Sequence, residues 1–376
     1  MGSAQRVQPT TGGAGVGSAQ RVQPTTGGAG VGSAQRVQPT TEGAGVGSAQ
    51  RVQPATGGAG ASARWAQVAT GGAGAPPRQA RSTTAAAVVV RAHDAPGPTL
   101  VLRGDRLPSG VLALGRELGQ LLRALAGTPH AGIGKIALYD PTGPTPRYRF
   151  VQALPGGSFD FRAGCGHSLL ACVVADGRRE PVTVRSVTTG DRVFCDPEDP
   201  EGPEDPEDGA YTLHFLRPPT APGTLPTARP VDVLDGVPVS LVRYGNPYVF
   251  VDERHLPENA AYERLQALRA TAARLLGHHP DSALPKIAAF ADGPEGLAVR
   301  ALTVGGWHPR LALTGAAALA AAGAIDGTVV PPVRGPVRTP TGTVTVSTAP
   351  DRVRVHHKRA EVLESLELPW RIHATA

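Results

Sequence analysis

From Gly166 the chain runs His-Ser-Leu-Leu-Ala-Cys-Val-Val-Ala-Asp and meets no further glycine or proline until Gly177. An apolar run of that length, closed by a glycine, reads as a buried helix. Whatever the fold is, it has to bury this helix. The residues before it alternate: Phe159, Phe161 and Ala163 against Asp160, Arg162 and Gly164. That period of two predicts a half-buried strand. Cys165, between Gly164 and Gly166, is therefore expected on a strand-to-helix turn at the helix start. Free backbone N–H groups and the helix dipole stabilise an anion there, either the thiolate or a substrate carboxylate. The flanking glycines let a ligand approach the backbone. The plainer reading is a small residue filling a tight turn.

The second half repeats this plan. Gly305-Gly-Trp-His308-Pro-Arg310 leads into Leu313-Thr-Gly-Ala-Ala-Ala-Leu-Ala-Ala-Ala-Gly323, a small-residue helix for which Thr314 is a natural N-cap. Each half also has a Lys-Ile strand entry, Gly134-Lys135-Ile136 and Pro285-Lys286-Ile287. Strands are expected at 87–91, 99–103, 136–139, 147–153, 181–186 and 211–217, then at 230–234, 237–243, 247–252, 284–290, 299–304, 342–347 and 352–357. A last strand, Leu366–Ile372, could return to the first domain. Amphipathic helices are expected at 110–126 and 259–276, where leucines recur at helical spacing. The chain therefore reads as α+β. Two facing halves would place two helix N-termini at one cleft, which suits a small substrate bearing carboxylates.

The N-terminal region is of another kind. Residues 2–16 read GSAQRVQPTTGGAGV, and this unit recurs at 17–31, 32–46 and 47–61 and, decayed, at 62–76. So few apolar residues cannot bury a core, so 1–85 reads as a disordered tail. The domains are then 86–220 and 221–376. Residues 1–82 hold seven arginines and one acid, which accounts for the whole net charge of +6. The folded part is near neutral, and the high pI is no sign of nucleic-acid binding. The three cysteines, Cys165, Cys172 and Cys195, have no metal-type spacing, so neither a zinc site nor a disulfide framework is expected. Cys172 reads as a core residue, and Cys195 sits beside the acidic, proline-rich run 196–209, which reads as a solvated loop. No apolar run approaches membrane-span length and no signal-peptide core is present, so a cytoplasmic setting without membrane partners is expected.

Taken together, these segments resemble the PrpF family, the 2-methylaconitate cis–trans isomerases and 4-oxalomesaconate tautomerases of the diaminopimelate-epimerase fold. The resemblance runs in order over about residues 90–372. Ala126-Gly-Thr-Pro-His130 is similar to the family's Gly-Ser-Pro-Asp, and Ile133-Gly-Lys135-Ile136 to its Ser-Lys-Val. Arg149-Phe-Val-Gln152 looks like its Phe-x-Gln strand, and Ala163-Gly-Cys165-Gly-His167 like its Gly-Asn-Cys-Gly-Asn. Arg243-Tyr-Gly-Asn246-Pro-Tyr-Val-Phe250 resembles its Gly-Asn-Pro-Thr-Val-Phe. Pro285-Lys286-Ile287, His308, Leu313-Thr314-Gly315-Ala316 and Gly327-Thr-Val-Val330 complete the series. The resemblance implies two pseudo-symmetric β-roll domains, each around a central helix. It also implies cofactor-free proton transfer on a small unsaturated carboxylate, with Lys135 and Cys165 carrying the chemistry.

Three departures matter. Where the family has Met-Arg-Gly-Gly-Thr-Ser-Lys, this chain reads Arg91-Ala-His-Asp-Ala-Pro-Gly97, so a serine and a lysine that bind substrate are missing. Asparagine becomes His167. The second helix opens without a cysteine, which excludes a symmetric two-thiol racemase or epimerase. The expected function is a cofactor-independent isomerase or tautomerase acting on an allylic or keto–enol system. Cys165 and Lys135 form its catalytic pair, and Gly164, Gly166, His167, Asn246, His308, Thr314 and Gly315 bind substrate. No metal is expected, and the chain is a monomer or homodimer. The alternative is a binding protein of the same fold that has lost the chemistry.

Overall fold

The computed structural model describes residues 85–199, 209–303 and 305–368. The repeat tail and most of the acidic run lie outside the described residues, as do residues 369–372 of the expected last strand.

The first half is built from β1 (Ala85–Ala92), β2 (Thr99–Arg103), α1 (Val111–Leu125), β3 (Lys135–Asp140), β4 (Arg147–Ala153), β5 (Phe159–Asp160), α2 (Gly166–Ala175), β6 (Val182–Ser186), β7 (Arg192–Pro197) and β8 (Tyr211–Phe215). After β9 (Asp232–Leu234), the second half repeats that order. Its elements are β10 (Val237–Tyr244), β11 (Asn246–Asp252), α3 (Ala261–Leu275), β12 (Lys286–Gly293), β13 (Gly296–Thr303), β14 (Gly306–Trp307), α4 (Leu313–Gly323), β15 (Pro336–Thr339), β16 (Gly342–Ala349) and β17 (Arg352–Lys358), with β18 (Ala360–Leu368) last.

The pairing shows the pseudo-symmetry. In the first half β1 is antiparallel to β2, β2 parallel to β3, β3 antiparallel to β4 and β4 parallel to β6. In the second, β10 is antiparallel to β11, β11 parallel to β12, β12 antiparallel to β13 and β13 parallel to β15. The halves are joined by strands that cross between them: β18 returns to pair with β1, and β8 joins β17, while β9 pairs with its neighbour β10. This places Lys135 and Lys286 at equivalent positions, each the first residue of its parallel inner strand.

Both faces of each sheet are covered, which is why these strands read as nearly unbroken apolar runs. On β1, Val88 and Val90 join the core around α2, while Ala87 and Val89 meet Leu114, Leu118, Leu121 and Leu125 of α1. In the second half Val239, Leu241, Val249 and Val251 meet Leu265, Leu268 and Ala272 of α3. The helices α2 and α4, apolar around their whole circumference, lie inside the rolls. Leu169 to Val173 and Ala316 to Ala322 are buried. No helix among the described residues is long and apolar enough to cross a membrane.

Several sequence expectations change. The strand at Phe159 ends after Asp160, because the Asp160 carboxylate accepts the Arg162 N–H at 2.8 Å and turns the chain. Cys195 does not sit on the edge of an acidic loop; it lies fully buried in β7, paired with β6 and β8. Thr314 is not a cap: the N-cap of α4 is Ala312, and Thr314 is the second residue of the helix. β18 begins at Ala360, six residues before the expected start.

Candidate active site

The cleft lies where the starts of α2 and α4 meet. Gly166 packs against Leu313 so closely that a Cβ there would lie 2.6–3.0 Å from the leucine side chain. Only glycine lets the two helix ends approach. Cys165 is the N-cap of α2 in extended conformation, and Leu169 is the first residue whose N–H bonds back to it. The N–H groups of Gly166, His167 and Ser168 thus have no acceptor within the helix.

The turn before Cys165 is held from the opposite half. The Asn246 side chain accepts the Gly164 N–H at 2.7 Å and donates to the Gly164 carbonyl at 2.8 Å. Tyr148 donates to the Cys165 carbonyl at 2.8 Å. Asn246 begins β11 straight after Gly245, whose φ of 81° suits glycine. Its role is therefore to fix the thiol-bearing turn.

Lys135, Cys165, Gly164, Gly166, His167, Asn246, His308 and Thr314 all line one cavity of about 60 Å³, together with Lys286, Gln152 and Tyr248. Gly315 does not line it. It lies under Tyr248, whose hydroxyl would sit 2.6 Å from a Cβ at that position. In the first half the equivalent contact is made by smaller groups, Thr99 and Ser168, whose hydroxyls are 2.9 Å apart.

The cavity is cationic. Among the described residues no aspartate or glutamate lines it, while two lysines line it from mirrored strands. Desolvation pushes the Lys135 amine below the ordinary lysine value, opposed by the nearby Cys165. Lys135 donates to the Gly97 carbonyl at 3.3 Å, and so meets the loop between β1 and β2. Desolvation also lowers the Lys286 amine, to about 8, opposed by the charges of Cys165 and Asp160. The histidines add no charge. Burial drives His167 well below its usual value and His308 to about 4. Their rings lie nearly parallel with centroids 6.4 Å apart. His308 Nδ1 accepts the Arg310 N–H at 3.1 Å, so the neutral ring carries its proton on Nε2. Among the described residues, His167 Nε2 is buried without a hydrogen-bond partner.

Lys286 is the functional candidate that reading the sequence for site residues missed. Its signal was present: a rare lysine in a Pro-Lys-Ile segment mirroring Gly-Lys-Ile. The other thiols are inert by burial, with Cys172 pushed well above the usual range and Cys195 to about 12. All three cysteines are free.

No family model and no curated protein matches the chain. Solved structures match it by shape. Methylitaconate-delta-isomerase aligns with a TM-score of 0.53 at 18% identity, covering 78% of this chain and 98% of that one. This protein has the diaminopimelate epimerase-like fold. Weaker likenesses are to a hydroxyproline epimerase from Agrobacterium vitis (TM-score 0.46, 16% identity, 77% and 93% covered) and a phenazine biosynthesis PhzF family protein from Enterococcus faecalis (TM-score 0.41, 15% identity, 76% and 98% covered). At these identities the likeness concerns the fold. What the cleft does has to be argued from its own residues.

Proposed function

We propose that the chain is a PrpF-like isomerase that moves a proton along an allylic or keto–enol system of a small unsaturated carboxylate. The observation that carries this reading is the pairing of two lysines, with no carboxylate lining their cavity among the described residues, and a thiol at a helix start. An anionic substrate supplies the missing negative charge.

In this reading the substrate carboxylate is held by the Lys286 ammonium and the free N–H groups of the first turn of α2. Cys165, as thiolate, takes a proton from the carbon beside the double bond. The electron pair of that C–H bond spreads through the unsaturated system onto the carboxylate oxygens, where Lys286 and the backbone donors stabilise it. The Lys135 ammonium returns a proton at the far carbon, and the double bond ends one position along. The thiol then passes its proton to the amine through solvent, which restores both groups. Neutral His167 and His308 orient the substrate by hydrogen bonding and leave the cationic field to the lysines. The chemistry draws on the chain's own residues, in a reducing, cytoplasmic setting where the thiol stays free.

The test is exchange in deuterium oxide. Methylitaconate, the compound in the name of the structural neighbour, and related unsaturated di- and tricarboxylates are incubated with the protein and examined by NMR. The reading predicts deuterium at an allylic carbon of at least one of them. Binding of these acids without any exchange would favour the alternative, a carboxylate-binding protein, to which the loss of the family's serine and lysine also points.

A further inference from the structure

A second cavity, of about 300 Å³, opens beside the loop that follows β1, residues 93–98, between the loop and the second half. Its lining is almost wholly polar and includes Asp94, Arg310, Thr343, Thr345 and Lys358. Lys358, the last residue of β17, is only 5% exposed. Asp94 bridges two cations. One carboxylate oxygen accepts from Lys358 Nζ at 2.6 Å, and the other lies 3.1 Å from Arg310 Nη1. Glu198, which bonds His357 at the cavity wall, is also held by Thr212.

One carboxylate between two cations leaves a net positive charge at the cavity wall. Thr343 and Thr345 also line it, while His356 is held through both ring nitrogens by Thr212 and Ser347. Asp94 thus occupies the position that the oxygens of an external anion would take, and a dianion with three or four oxygens would match the two cations better than a single carboxylate does. We propose that this cavity binds a phosphate-type oxyanion in competition with Asp94.

The site is coupled to the catalytic cleft by short covalent paths. Two residues beyond Asp94, Pro96 lines the cleft, and Gly97 supplies the carbonyl that Lys135 donates to. On the other side, the Arg310 N–H bonds His308 Nδ1. When an anion takes Lys358 and Arg310 from Asp94, the loop loses its anchor. The wall of the cleft over Cys165 then loosens. The oxyanion acts as an opener of the cleft and not as its substrate.

The experiment uses the full chain and inorganic phosphate, with chloride and sulfate at matched ionic strength as comparison arms. Isothermal titration should show saturable phosphate binding, weakened about tenfold or more by Arg310→Gln and strengthened about tenfold by Asp94→Asn. Phosphate should also speed the alkylation of Cys165 by iodoacetamide in the wild type. Asp94→Asn should be alkylated fast without phosphate. Unaltered binding in both variants would overturn the proposal, as would an adventitious ion that binds without saturation. Phosphate that slows alkylation, and does so equally in Arg310→Gln, would place the anion in the catalytic cleft and also overturn it. None of these readouts depends on turnover, so the proposal can fail while the isomerase reading stands.

Discussion

Replacing Lys286 by methionine should stabilise the protein while removing its hold on anions. The wild-type amine is lowered from 10.5 to about 8, chiefly by desolvation. Each tenfold change in protonation is worth about 1.4 kcal/mol, so keeping the ammonium in the cleft costs the folded state about 3 kcal/mol. The sign follows from proton counting. Below pH 8 the amine is protonated in both states and the full penalty applies. Between about 8 and 10.5 the unfolded chain holds the extra proton, so stability from this group rises with pH and the penalty is gone above that window. Methionine carries no charge and is of similar length. Urea unfolding should therefore show Lys286→Met more stable than wild type by about 2–3 kcal/mol at pH 7, with the gain shrinking at pH 10.5. Comparing the two proteins at each pH cancels the titration of every other group. In the same variant, a carboxylate that protects Cys165 from alkylation in the wild type should no longer do so. A variant equal to or less stable than wild type at pH 7 would refute the argument that Lys286 is a desolvated cation kept for binding.

Other outcomes follow from the same geometry. Asn246→Ala removes both bonds to Gly164 and should cost about 1–3 kcal/mol in chemical unfolding while slowing turnover, because the thiol-bearing turn loses its clamp. A fully active, fully stable Asn246→Ala would show that the clamp is incidental. Gly166→Ala forces a methyl into the Leu313 side chain and should destabilise by about 1–3 kcal/mol; Leu313→Ala in the same chain should restore part of that loss. Iodoacetamide near pH 7, followed by peptide mass, should label Cys165 alone at early times. Cys172 and Cys195 are fully buried with their thiols pushed up, and early labelling of either would contradict the packing of α2 and β7.

The elements that the sequence announces most clearly are those whose burial is complete. The apolar helix after Cys165, its small-residue counterpart after Ala312 and the leucine stripes of α1 and α3 all appear within a residue or two of expectation. The pseudo-symmetry was legible because both halves carry the same order of strand, Lys-Ile entry and glycine-opened helix. β7 was missed because its alternating Arg-Val-Phe-Cys runs into Asp196, Pro197 and the acidic run, whose composition masks the period. The Thr314 cap failed because the chain enters α4 two residues earlier, and the threonine hydroxyl instead stands 3.4 Å from the Asn246 amide. Lys286 was passed over because nothing in a linear sequence says that a strand-end lysine is desolvated in a cleft. Only the pairing of β11 with β12 and the meeting of the halves bring that amine to Cys165.

The central claim is that the Cys165 thiol moves a proton on a carboxylate held in this cleft. It is tested most directly by following deuterium incorporation from solvent into a responsive carboxylate, with wild type and Cys165→Ser side by side. A serine hydroxyl fills the same space but is far too weak an acid to take part. The account predicts a folded Cys165→Ser protein that still binds the carboxylate and exchanges about 100-fold to 10,000-fold more slowly. Exchange at the wild-type rate would contradict the account and transfer the proton to a lysine or histidine shuttle.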